Sequence, residues 1–370
     1  MNYSPEPNDA KYVLLYYSSF QVRKQALHSL AKCISISGDP TVNEEVLINL
    51  YRKLYGSVDN EKFTRMNDFS DFPLYFIQQE FMRAIGQIKD HADYTTPRIV
   101  QFLYQQLYYN DNQRNEYDDS PMIVAIIDGL TCTVPHKVDY KMEQVLKHVK
   151  QVLPKIVCYL NIDKKMPSYQ QIISAACLRF ISKLIQYGHI MDNLKDSSIF
   201  SAHLKRGQSF HVRCTAIQLL ALFIKNESSE RDLNTILSLI EFDQSPFIRC
   251  HAAQQLYKLP LFTKHEDCFL NNLHLVERLW RLLNEHQDFN LRCCLAQLYY
   301  TLYGRTTPTC VPTNNCAVVI DLKGQTARSN VPGIPSSFRF SSKFDDDRKY
   351  SSDDSSSSRK KKKHKPMPMS

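Results

Sequence analysis

The amino-acid sequence predicts an all-α solenoid built from stacked helical pairs. Three observations carry that expectation. Glycine is scarce, at nine residues in 370, which leaves few for the tight phosphate-binding turns of α/β cofactor folds. Apolar residues return at helical period through most of the chain. One short pattern also recurs along it, the mark of a repeat architecture.

The pattern is legible in four places: SSFQVRKQALHSL (18–30), QSFHVRCTAIQLL (208–220), QSPFIRCHAAQQL (244–256) and QDFNLRCCLAQLY (287–299). In each, a polar pair precedes Phe or Pro, followed by one variable residue, an aliphatic residue and an arginine. The arginines, Arg23, Arg213, Arg249 and Arg292, are assigned a structural role. Three residues after them come Ala26, Ala216, Ala252 and Leu295, and seven after them Leu30, Leu220, Leu256 and Tyr299. Positions at these spacings share one side of a helix, so they form its buried stripe, and the small residue lets a neighbour come close. Ser or Asp ahead of Phe or Pro supplies N-cap chemistry, and proline suits the first helical turn. Each copy therefore opens a helix, and apolar runs such as LNTILSLIEF (233–242) and LVERLWRLLN (275–284) supply its partner.

Asp243 stands six residues before Arg249, giving D-x-x-P-x-[IV]-R-x-x-A, which resembles a HEAT repeat. The arginines at 213, 249 and 292 fit that repeat's length of about 40 residues. Arg249 and Asp243 are expected to form a ladder-like contact between repeats. Between Arg23 and Arg213 the same period leaves room for about four further units, visible around 72–88, 117–130 and 168–185. Residues 133–154 read as a charged surface insertion with a short helix of its own.

The HEAT-like solenoid is expected over 1–305. Residues 306–326 read as an extended capping segment with one short strand at 318–322. Residues 327–370 turn to Ser, Pro, Asp and Lys, a composition that buries too little apolar surface to order itself. Within that tail RKKKKHK (359–365) supplies six of the chain's net +8 charges. Arg359, Lys360, Lys361, Lys362, Lys363 and Lys365 are the candidate nuclear-localisation or polyanion-contact block.

Chemistry is harder to find. Eleven cysteines lie scattered behind no signal peptide, which points to a reducing compartment. No apolar run approaches the roughly 18 residues of a membrane span. Cys250 and His251 are adjacent, so on a helix they point about 100° apart and cannot share one ion. Signatures of zinc proteases, nucleophile elbows, phosphate loops and dinucleotide sites are absent, and acidic pairs such as Glu44 with Glu45 sit where helix starts favour them. The sequence thus predicts no catalytic, metal or cofactor site. A solenoid acts by offering continuous surface, and tyrosine is suited to such surfaces. In the aromatic-dense run QFLYQQLYYN (101–110) Tyr108 and Tyr109 cannot both face a core, so both are candidate partner-surface residues.

Four longer strings are familiar: LYYNDNQRNEYDDS (107–120), MPSYQQIISAACLRFISKL (166–184), PLFTK (260–264) and LRCCLAQLYYTLYGRTTPTCVP (291–312). In order, they resemble the C-terminal helical-repeat region of the TFIID subunit 2 family, and the basic block resembles that family's tail. The resemblance implies a nuclear, non-catalytic scaffold of RNA polymerase II transcription initiation that holds TFIID subunits eight and one and helps to seat the complex on promoter DNA. The family's large aminopeptidase-like region is not in this chain, which reads as a fragment, an isoform or a lineage with separate parts. The family pattern is also broken at Pro121, Met122 and Ile123, where aromatic residues and an arginine are expected. The alternatives are a generic HEAT adaptor in transport or phosphatase assembly, and nucleic-acid binding through the basic tail.

Overall fold

The structure is a computed structural model. It describes residues 14, 19–36, 40–57, 63–90, 93–113, 115–136, 142–189, 196–227, 229–258, 273–285 and 288–303. All of them fall in one compact unit, Met1–Thr309. The expected capping segment, the tail and the block Arg359 to Lys365 lie outside the described residues.

Thirteen α-helices follow one another among the described residues: α1 Phe20–Ile36, α2 Pro40–Tyr55, α3 Phe72–Gly86, α4 Pro97–Tyr108, α5 Ser120–Cys132, α6 Met142–Lys165, α7 Ile172–Gln186, the short α8 Ser198–Ser201, α9 Phe210–Glu227, α10 Glu230–Phe242, α11 Pro246–Lys258, α12 Leu273–Glu285 and α13 Phe289–Tyr303. They sort into two layers. The odd-numbered helices each pack on the next odd one, and the even-numbered helices form the other layer, each paired with the odd helix that follows it. This is the predicted all-α solenoid of stacked helical pairs.

The sequence pattern explains the packing. Ala26, Ala216, Ala252 and Leu295, three residues after the repeat arginines, are all buried, as are Leu30, Leu220, Leu256 and Tyr299. Helix starts are capped as the composition implies. The Asp71 carboxylate accepts the Leu74 N–H at 3.1 Å, with Pro73 in the first turn of α3. Ser229 accepts from Asp232 N at the start of α10.

The tightest seam lies between α3 and α5. A β-carbon on Gly86 would sit 2.3 Å from the Gly129 carbonyl oxygen, and one on Gly129 would sit 2.4 Å from that of Met82. The two backbones touch, and only glycine at both positions permits it.

Two expectations need correction. Residues 133–154 are no surface insertion: most of them build α6, which buries Val145, Val149, Val152, Leu153 and Ile156 between α4 and α7. Its lysines and histidine fall outside that buried stripe, and Pro154 is accommodated inside the helix. Between Arg23 and Arg213 the odd layer holds three helices, α3, α5 and α7, where the period predicts about four; the long spacings from Tyr55 to Phe72 and from Tyr108 to Ser120 stretch those units. Pro121, Met122 and Ile123 belong to α5, with Met122 and Ile123 in the core.

Candidate interaction edge of the solenoid

One edge of the solenoid is made by the turns that lead from each even helix into the odd helix of its pair. The repeat arginines organise it. Arg23 Nε donates to the Leu14 carbonyl at 2.8 Å, Arg213 Nε to that of Leu204 at 3.0 Å and Arg292 Nε to that of Leu283 at 3.1 Å. The partner is nine residues upstream in every case, so the arginine closes the turn by taking up a carbonyl that the preceding helical segment leaves unpaired. Arg249 departs from this arrangement, since its buried Nε has no hydrogen-bond partner.

The expected pairing of Arg249 with Asp243 is also not what the structure holds. Asp243 receives both Nη groups of Arg213, thirty residues earlier, at 3.4 Å on one oxygen and closer still on the other, with both side chains buried. Burial raises the Asp243 carboxyl, but the hydrogen bond from Arg213, the Ser245 N–H and the positive charge nearby outweigh it and leave the pKa lowered. Arg213 therefore divides its guanidinium between its own turn and the next one. The ladder contact exists, one unit displaced from its expected place. The unit of α7 has no such arginine; there the buried Asp163 of α6 accepts the N–H groups of Ser168 and Ser174 at 2.7 and 2.9 Å.

Exposed aromatic residues gather on this same edge. Among the described residues, every large exposed aromatic except Tyr300 lies in one of these turns, at the end of the even helix or in the opening turns of the odd one. Phe210, Phe247 and Phe289 open α9, α11 and α13, and the last two are 76% and 73% exposed. Phe210 and Phe247 stand edge to face across one repeat at 6.5 Å. An apolar ring left in solvent contributes nothing to folding, so a recurring exposed Phe is surplus to the core.

Tyr108 and Tyr109 belong to this edge. Both are 55% exposed, and their rings meet edge to face at 5.0 Å. Tyr109 also meets Phe63 at 5.0 Å, and Lys155 Nζ lies over the Tyr108 ring at 5.4 Å. Adjacency at the end of one helix keeps the two tyrosines from both facing the core. It gives no hint of the flanking Phe63 and Tyr117, which lie far off in sequence or outside any helix.

A polar ladder crosses the odd layer, and sequence reasoning missed it. Lys24 and His28 of α1 bond the buried Glu80 of α3 at 3.1 and 3.0 Å, and Arg83 joins Glu80 at 2.9 Å. Arg83 then reaches Asp128 of α5, which Arg179 of α7 holds at 2.8 Å. Burial alone would raise the Glu80 carboxyl, but the hydrogen bonds from His28 and Lys24 and the charge of Arg83 bring it down to about 2. Polar positions on four different helices leave no local motif to read.

The cysteines and histidines of the repeats are structural in their contacts. His251 donates from Nε2 to the Cys214 carbonyl at 3.3 Å. Burial pushes the Cys214 and Cys250 thiols up to about 11, the reverse of an activated thiolate. Among the described residues no group of three His, Cys, Asp or Glu side chains gathers in a metal-binding arrangement, and no helix is long and apolar enough to cross a membrane.

Stacked helical pairs with an aromatic edge formed by their turns define a helical-repeat protein built to present surface. The chain belongs to the family of TAF2-like TPR repeats, whose model matches residues 15–330. It is 31% identical over 337 residues to transcription initiation factor TFIID subunit 2 of Drosophila melanogaster, covering 87% of this chain and 27% of that protein. The same-named protein of Danio rerio is 29% identical over 330 residues, covering 85% of this chain and 28% of its own length. That of Caenorhabditis elegans is 28% identical over 283 residues, or 72% and 26%. The chain thus spans about a quarter of the length of the relatives it matches. The family's description speaks of TPR repeats where the arginine and aspartate spacing reads as HEAT-like; both are helical pairs stacked side by side.

Proposed function

We propose that this chain is a non-catalytic scaffold segment of the general transcription factor TFIID, acting in the nucleus and holding neighbouring subunits along its aromatic edge. The observation that carries the reading is the segregation of exposed aromatic residues to one edge, in a chain of the TAF2-like repeat family. Subunits eight and one are the neighbours this reading names. Tagged full chain, purified from nuclear extract and analysed by mass spectrometry, is expected to bring down TFIID subunits. Recovery alone, or with transport factors only, would overturn the reading in favour of a generic adaptor.

The block Arg359 to Lys365 favours a second role, nuclear import or a sequence-independent contact with promoter DNA. Deleting it should move a tagged chain towards the cytoplasm and lower both DNA affinity and its salt dependence. Unchanged distribution and unchanged salt slope would remove that role.

A further inference from the structure

The edge is not uniform in charge. Two of its turns, 63–71 and 109–119, lie side by side: Phe63 meets Tyr109, Phe69 meets Tyr117 at 5.4 Å, and Asn115 donates to the Asn67 carbonyl at 3.0 Å. In sequence they carry Asp68, Asp71, Asp111, Glu116, Asp118 and Asp119 against Arg65 and Arg114, a net −4 within a chain of +8. Asp119 is buried and bonded by Asn110, and the other five carboxylates are exposed. Arg65 is engaged by the Leu54 carbonyl. Among these carboxylates stand Tyr108, Tyr109 and Tyr117, all more than half exposed.

Aromatic faces attract cations, and neighbouring carboxylates strengthen the attraction by adding a Coulomb term. The chain already uses this chemistry beside these turns: Lys155 Nζ lies 5.4 Å from the Tyr108 centroid and 5.2 Å from that of Tyr159. The exposed rings of Tyr109 and Tyr117 offer the same to a cation from outside. We propose that these paired turns dock an extended, lysine- or arginine-rich segment of a partner protein. Nucleic acid does not fit here, because its phosphates meet the five carboxylates. An apolar helix does not fit either, since it would desolvate them without a counter-charge.

The inference rests on the edge being a docking surface and adds the chemistry of one occupant. Fluorescence anisotropy of labelled oligolysine on the full chain tests it, with labelled oligoglutamate and a labelled short DNA duplex titrated separately as comparisons. Oligolysine should bind at these turns, and the other two should bind the parent and the variants of the turns equally. Replacing Tyr109 and Tyr117 by Ala should weaken binding about tenfold, the sum of two cation–π contacts. Asp111→Asn with Glu116→Gln should flatten the salt dependence, because both changes remove charge and keep shape; the amide oxygen at position 111 can still accept the Gln113 N–H that the carboxylate holds at 2.9 Å. The proposal is overturned if oligolysine binds both variants like the parent, or if the tyrosine variant weakens binding of duplex DNA as much as that of oligolysine. Recovery of TFIID subunits by the same variants separates the two readings. Loss with the tyrosine variant but not with the charge variant would retain the edge as a docking surface and reject a basic occupant. Loss with neither would reject these turns as a docking surface.

Discussion

Asp243 closes a buried ion pair with Arg213, a residue of the preceding repeat, while Arg249, six positions away from it, takes no part. Removing one member of a buried pair strands the other, so Asp243→Ala is expected to lower unfolding stability by about 3 kcal/mol. A double-mutant cycle checks the assignment: Asp243 with Arg213 should show coupling above about 1 kcal/mol, and Asp243 with Arg249 near zero.

The Gly86 and Gly129 contact makes a prediction of sign. In an ordinary helix Gly→Ala gains about 1 kcal/mol, but here the added methyl meets backbone that cannot rotate aside. Gly86→Ala is expected to destabilise by about 3 kcal/mol in a denaturant titration. A stabilised variant would show that the two helices are further apart.

Glu80 gives a pH dependence. Its carboxyl is depressed from the ordinary 4.5 to about 2 by its three basic partners, so its contribution is fully present above about pH 4.5 and is lost as pH falls towards 2. Water around the partly exposed Lys24 screens some of that contribution. Melting the parent and Glu80→Gln across that window should show a stability gap of about 2 kcal/mol near neutrality that closes as the pH is lowered.

The edge tyrosines should separate stability from binding. Tyr108→Ala and Tyr109→Ala remove rings that are more than half exposed, so each should change unfolding stability by no more than about 0.5 kcal/mol. Recovery of TFIID subunits from nuclear extract should fall for the same variants, and full recovery would separate these rings from assembly.

Sequence is a good guide to this fold wherever spacing and burial coincide. Ala216 and Leu220 follow into the core from their distance to Arg213 alone, because one helix fixes both. Tyr108 and Tyr109 cannot both face inward for the same kind of reason, and with Tyr109 just past the end of α4 both are exposed. The partner of Asp243 is misleading in sequence because its two choices lie on different helices, and a one-dimensional pattern favours the nearer one. The stretch 133–154 misleads because its lysines obscure the stripe from Val145 to Ile156. The ladder from Lys24 through Glu80 and Asp128 to Arg179 is out of reach, since it exists only once four helices are laid side by side.

The seam at Gly86 and Gly129 has a mechanical consequence. Helices usually yield to load by sliding a little as side chains between them change rotamer. Where backbone rests on backbone there is no such cushion, so α3 and α5 should move as one stiff element, and any flexing under tension from neighbouring units has to be taken up at other joints.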